Sequence, residues 1–92
     1  MRLDNTAFEW DEGNESELAR HRITLQEVEE VFFNEPVWAS NRRGRAGNRV
    51  MIGRTDGGRA LTIIVRVELS TETIRAITGW ESTRGERTRY AR

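Results

Sequence analysis

The most regular pattern of apolar and polar positions lies between residues 24 and 36. Four apolar residues recur there at helical spacing, with glutamates on the opposite side: Leu25, Val28, Val31 and Phe32. Thr24 and Glu27 match a capping box and Pro36 ends the segment, so the pattern predicts a helix between them. A shorter helix is predicted before it, beginning after the N-cap Asp11 and ending near His21.

After this helix the pattern changes to short strand-like runs separated by turn residues. Four strands are predicted, over residues 37–40, 49–54, 59–67 and 72–78. Their short connections favour antiparallel pairing in chain order. Thr83 and Glu86 form a further capping box, which predicts a C-terminal helix. The order ααββββα indicates one α+β domain over residues 1–92, with its helices on one face of a four-stranded antiparallel sheet.

Length and composition exclude several classes of function. A chain of 92 residues forms one small domain, which is too short for a Rossmann-type nucleotide-binding fold. It contains no cysteine and a single histidine, His21, which excludes disulfides, zinc fingers, thiol nucleophiles and clusters of histidine ligands. No cofactor is expected. No apolar run suits a membrane helix, and the polar residues 1–12 do not resemble a signal peptide, so we expect a soluble cytoplasmic protein.

Charge is distributed unevenly along the chain although the total is zero. All 15 basic residues are arginine, whose planar, permanently charged guanidinium suits phosphate or carboxylate. Residues 1–35 carry a net charge of −7 and residues 36–92 a net charge of +7. The basic half can therefore meet nucleic acid, or the two halves can neutralise each other in the folded domain. Charge by itself favours neutralisation.

Five short motifs follow one another along almost the whole chain. They are FEWD (8–11), RHRIT (20–24), EVEEVFF (27–33), GRTDGGR (53–59) and TRGERTRY (83–90). This ordered set resembles the BrnT-type toxins, which are the toxin partners of type II toxin–antitoxin pairs. The resemblance implies a RelE-like fold, cleavage of RNA, and neutralisation through direct binding of a cognate antitoxin protein.

Cleavage of RNA by its own 2′-hydroxyl requires a base, a cation beside the phosphate and an acid for the leaving oxygen, but no metal ion. The residues predicted to fill these catalytic roles are His21, Arg59, Arg84, Glu86 and Tyr90. The arginines predicted to bind the RNA backbone are Arg42, Arg43, Arg45, Arg49, Arg54 and Arg87. His21 carries the only imidazole, the group suited to proton transfer near neutral pH, whereas Glu86 needs a raised pKa for such a role.

Structural roles are open for several of the same residues. His21 can stabilise the end of the first helix, Glu86 can serve only in its capping box, and Tyr90 can pack its ring beneath the last helix. Trp38 and Trp80 can stack on bases, or they can be buried in the core or at a partner interface.

Two residues near the last strand keep a second function open. Trp80 and Glu81 stand where the BrnT-type toxins carry arginines. The alternative to a ribonuclease is therefore a catalytically inactive BrnT-like module that binds RNA or a partner protein. A third hypothesis is a structural subunit that forms a homo-oligomer through its oppositely charged halves.

Overall fold

The computed structural model describes residues 7–41 and 47–91. In chain order, the elements are β1 (Ala7–Glu9), α1 (Glu12–Arg20), α2 (Leu25–Phe33), β2 (Val37–Ser40), β3 (Arg49–Arg54), β4 (Ala60–Glu68), β5 (Thr73–Glu81) and α3 (Arg84–Ala91). The strands form one sheet in the order β1-β5-β4-β3-β2. These elements confirm the predicted α+β class. Within the described ranges, none of the helices is both long enough and apolar enough to cross a membrane.

The sheet has five strands and is mixed, which corrects the prediction of four antiparallel strands. Strands β2 to β5 pair antiparallel in chain order, as predicted, but β1 adds to the free edge of β5 in parallel. Its pairs include Ala7 with Thr73 and Phe8 with Ile74. The prediction missed β1 because three residues are too few for the alternation of a strand to be recognised in a sequence.

Asn14 explains how this short edge strand is held in place. Its side chain is buried, and its Nδ2 donates hydrogen bonds to the backbone oxygens of Glu9 (2.9 Å) and Ala76 (3.1 Å). One amide on α1 therefore joins β1 to β5. An amide buried with its donors satisfied avoids the cost of an unpaired polar group.

Helices α1 and α2 cover one face of the sheet and form the core with it. Both helices begin as predicted, since Asp11 caps α1 through a box with Asn14 and Thr24 caps α2 through a box with Glu27. The core joins apolar residues of the two helices to the three central strands, and includes Leu18, Val28, Val31, Met51, Ile63, Val65 and Ala76. Removal of these side chains from water supplies the main driving force for folding.

Helix α3 lies on the opposite face, which corrects the expectation that all helices pack on one side. Adjacent residues of a strand point to opposite faces of the sheet. A Cβ atom on Gly79 would lie 3.4 Å from Ile23 Cδ1, on the side of α1 and α2. The next residue, Trp80, instead hydrogen-bonds to Glu86 of α3. The sheet therefore separates the first two helices from the third.

Candidate nucleic-acid interface

Glu86 is the residue that joins α3 to the sheet. The predicted capping box is confirmed, because the Thr83 backbone N–H donates to Glu86 Oε1 at 2.8 Å and the Glu86 N–H donates to Thr83 Oγ1. The same Oε1 accepts a hydrogen bond from Thr62 Oγ1 of β4 (2.9 Å) and one from Trp80 Nε1 of β5 (3.1 Å). A single carboxylate oxygen therefore bonds to the helix start and to two strands.

A chain of buried hydroxyls supports this carboxylate. Thr62 is fully buried and Ser82 nearly so, and their hydroxyl oxygens are 2.9 Å apart. A carboxylate only accepts hydrogen bonds, so Thr62 uses its single proton for Glu86. Ser82 must then donate to Thr62. Hydrogen bonds therefore run in one direction, from Ser82 through Thr62 to Glu86.

These donors determine the protonation state of Glu86. Partial burial raises the pKa of the Glu86 carboxyl, but the hydrogen bonds from Thr83, Thr62 and Trp80 outweigh it, and the net effect is a lowered pKa. The raised pKa that a proton-transfer role near neutral pH requires is therefore absent. At neutral pH, Glu86 is an ionised acceptor.

A groove of about 350 Å³, which we call the α3 groove, lies between α3 and the sheet. Val50 of β3 and Ile64 of β4, both partly exposed, contribute apolar surface to it. Trp80, Glu86 and Arg89 also line it and contribute an indole, a carboxylate and a guanidinium. The groove therefore combines apolar surface with a few polar groups, as is typical of ligand-binding sites.

Four arginines lie on or against α3 and are here called the arginine face: Arg54, Arg84, Arg87 and Arg89. The Arg54 guanidinium lies 5.9 Å from the centre of the Tyr90 ring, at a distance suited to a cation–π contact. Arg87 Nη1 donates to the backbone oxygen of Ser82 at 2.7 Å. Among the described residues, no carboxylate forms an ion pair with any of the four. The charges of these four guanidinium groups are therefore not neutralised by a described carboxylate.

Arg59, a predicted catalytic residue, lies on the other side of the sheet and is paired with acidic residues. Its Nη1 lies 3.0 Å from Glu27 Oε1 and its Nε lies 3.2 Å from Glu81 Oε2. Burial lowers the pKa of the Arg59 guanidinium, but the bonds to Glu81 and Glu27 more than compensate, and the pKa is raised. These two carboxylates neutralise Arg59. Glu81 therefore has a structural partner in Arg59.

His21 also lies away from α3. It is the C-cap of α1, as the structural alternative predicted, and its Nε2 lies 3.4 Å from Glu17 Oε2. Glu17 in turn accepts hydrogen bonds from Arg20 and from Thr78. The predicted catalytic residues are thus divided between two layers. Arg84, Glu86 and Tyr90 share α3, whereas His21 and Arg59 lie on the layer of α1 and α2.

The predicted backbone-binding arginines are also divided. Arg54 and Arg87 belong to the arginine face. Arg49 lies two residues before the buried Met51 on β3, so its side chain points to the same face of the sheet, that of α1 and α2. Its Nη1 donates to the Asn48 backbone oxygen. The remaining three, Arg42, Arg43 and Arg45, lie outside the described residues.

Sequence reasoning missed Thr62 as a member of this site. Arg89, on the last helix, also lines the α3 groove. Thr62 was read only as part of an apolar strand, and its hydroxyl between Leu61 and Ile63 was the available signal. Of the two tryptophans considered for base stacking, Trp38 packs against the core and lies edge-on to Phe32, with ring centres 6.2 Å apart. Only Trp80 faces the groove.

The described side chains and the comparisons with known proteins give no further assignment of this site. No three histidine or acidic side chains of residues 7–41 and 47–91 come together as a metal site requires. No protein-family model matches the chain, and no curated protein matches it.

Proposed function

We propose that the protein is a BrnT-like module whose arginine face binds the phosphate backbone of single-stranded RNA. One observation carries the proposal. Arg20, Arg59 and Arg75 pair with carboxylates. The four arginines of the arginine face have no carboxylate partner among the described residues and remain able to pair with an external anion.

RNA fits this surface better than a folded acidic protein does. The arginine face borders a groove that contains the edge of an indole, and single-stranded nucleic acids bind where cations for the backbone adjoin aromatic surface for bases. Glu86 is the one acidic residue of α3, and its charge is partly satisfied by three donors. The phosphate backbone therefore meets little repulsion along this helix.

The backbone at Arg22 supports the resemblance to BrnT-type toxins. Arg22 adopts φ 59°, a left-handed conformation that favours glycine. The corresponding K-H-G motif of the BrnT-type toxins has glycine at this position. The conformation therefore fits the family motif even though the residue differs.

Binding without cleavage is the function that the geometry favours. His21, the candidate base, lies on the layer opposite α3, and the guanidinium of Arg59 is neutralised by two carboxylates. Trp80 donates its N–H to Glu86 where the family has an arginine. These arrangements separate the groups that would have to act together on one phosphodiester.

Endoribonuclease activity, as in a BrnT-type toxin, is the second candidate. It is favoured by the presence of Arg84, Glu86 and Tyr90 within two turns of α3. The resemblance also implies a cognate antitoxin. An acidic antitoxin segment that covered the arginine face would compete with RNA for it. Self-association through the oppositely charged halves would cover the same face.

Binding of a fluorescently labelled single-stranded RNA at several salt concentrations tests the proposal. Because each phosphate contact to a single strand contributes a slope of about 0.7 in log K against log salt, R87A and R89A should each lower the slope by about that amount. R20A removes the same charge from a paired arginine on α1 and is the matched control. A salt-independent interaction, or an equal effect of all three variants, would contradict the proposal.

The same preparation distinguishes binding from cleavage. Intact RNA after prolonged incubation is expected for the wild type, and W80R tests whether an arginine at the family position creates activity. Products ending in a 2′,3′-cyclic phosphate from the wild-type protein would establish the ribonuclease instead.

A further inference from the structure

The two oxygens of the Glu86 carboxylate have different surroundings. Oε1 accepts three hydrogen bonds, at 2.8, 2.9 and 3.1 Å. Among the described residues, Oε2 receives only a long contact from Trp80 Nε1 at 3.4 Å. A carboxylate oxygen has about two acceptor positions. Oε1 is therefore fully used, while Oε2 retains the capacity to accept from a ligand.

The groups around Oε2 suit a flat heterocycle that carries N–H donors. Glu86 and Trp80 line the α3 groove together with the partly exposed apolar side chains of Val50 and Ile64. A base lying on this apolar surface can bring its edge to the carboxylate, and Arg89 lines the same groove, where it can reach the attached phosphate.

We propose that the α3 groove binds a guanine base of single-stranded RNA, with Glu86 Oε2 accepting hydrogen bonds from its Watson–Crick edge. The proposal rests on the proposed RNA-binding function and names the base that this function recognises.

Guanine follows from the arrangement of donors on the four bases. Its N1–H and N2 amine are adjacent donors, and both can point at one carboxylate. Adenine and cytosine each place an acceptor nitrogen beside their single amine. Uracil has one N–H between two carbonyl oxygens, which repel a carboxylate. Because its pKa is lowered, Glu86 is ionised at neutral pH and cannot donate to these acceptors.

The test compares the binding of five labelled pentamers, UUXUU, in which X is guanine, inosine, adenine, cytosine or uracil. The guanine pentamer should bind about tenfold more tightly than the uracil pentamer, within the range that one base-edge contact supplies. The inosine pentamer, which lacks only the N2 amine, should lose most of that advantage. This comparison uses the wild-type protein and therefore does not depend on whether any variant folds.

The outcomes distinguish the proposed guanine site from the proposed RNA-binding function. Equal affinity for all five pentamers would overturn the guanine site and leave RNA binding standing, whereas no binding of any pentamer would overturn both. Guanosine 5′-monophosphate is tested in parallel. If it bound as tightly as the guanine pentamer, the site would belong to a free nucleotide and the RNA assignment would be wrong.

A pair of isosteric variants tests the role of the carboxylate. E86Q should reduce the ratio of guanine to uracil affinity to about one, while binding of the uracil pentamer persists. E81Q is the matched control, because Glu81 pairs with Arg59 on the opposite face, and its ratio should equal that of the wild type. An unchanged ratio in folded E86Q would overturn the proposal.

Discussion

Trp80 Nε1 donates a hydrogen bond to Glu86 Oε1 at 3.1 Å, which ties the end of β5 to the first turn of α3. The sequence of α3 is RGERTRYA, so this helix has little apolar surface with which to pack on the sheet. Its position therefore depends on hydrogen bonds to a single carboxylate and on the Tyr90 ring. The Trp80 indole is therefore part of the attachment of this helix.

The buried hydroxyl of Thr62 should contribute measurably to stability. T62V removes a donor to Glu86 and leaves the buried Ser82 hydroxyl without its acceptor, so we expect a loss of about 1–3 kcal/mol in the free energy of unfolding. The pKa of Glu86 should also rise toward its ordinary value. Urea denaturation and NMR titration of the carboxyl carbon measure the two effects. T88V, on the exposed side of α3, is the control, and an equal loss in both variants would contradict this explanation.

Substitution by alanine should change the stability of the protein in opposite directions at two glycines. A Cβ on Gly79 would lie 2.7 Å from Ile63 Cδ1 and 2.9 Å from the Thr62 backbone oxygen, so G79A should be destabilising by about 1–3 kcal/mol, as in other overpacked cores. Gly85, in α3, has no atom within 4 Å of the same position, so G85A should stabilise by about 0.4–1 kcal/mol. Thermal unfolding of both variants tests this, and a stabilised G79A would show that the sheet has room there.

The left-handed residue between α1 and α2 should tolerate glycine well. Arg22 has φ 59°, where a Cβ atom is costly, and its side chain is exposed. R22G should therefore increase the free energy of unfolding by up to about 1 kcal/mol. R20G replaces an arginine inside α1 and should instead destabilise by a similar amount. Chemical denaturation of the two variants is the measurement, and a loss of stability in R22G would contradict the expected strain.

Acid should weaken the contact between α1 and β5. The hydrogen bonds from Arg75, followed by the backbone N–H of Asn14, lower the pKa of Asp11 from 3.8 to about 2. A lowered folded-state pKa stabilises the protein above the ordinary value, and this contribution disappears as the pH falls through about 2. D11N keeps a good N-cap but loses the charge. The melting temperature of D11N should lie furthest below that of the wild type at pH 7, and this difference should shrink as the pH falls below about 4.

R75Q removes the same ion pair from the other side and should reproduce this pH dependence. A deficit of D11N that stayed constant between pH 7 and pH 2 would show that the charge of Asp11 does not stabilise the fold.

Local rules accounted for the helix starts and most strands. The capping boxes at Thr24 and Thr83 and the N-cap Asp11 involve residues three or four positions apart, and the structure confirms all three. Strand β1 was missed because its stability comes from distant contacts, including the amide of Asn14. The candidate site shows the same division between contacts that are local in the chain and contacts between distant residues. Glu86 was recognised from its capping box, whereas its bonds to Thr62 and Trp80 depend on the sheet.

Periodicity, turn residues and the arrangement of charge were enough to predict the α+β class and a basic second half, because these features act between neighbours in the chain. Which arginines are free to bind an anion was decided by folding. Arg54 and Arg59 flank the turn of one hairpin, yet the sheet directs Arg59 toward Glu27 and Glu81 and Arg54 toward Tyr90. Strand alternation and the packing of helices on both faces determine the partners of each guanidinium, and these are properties of the assembled sheet.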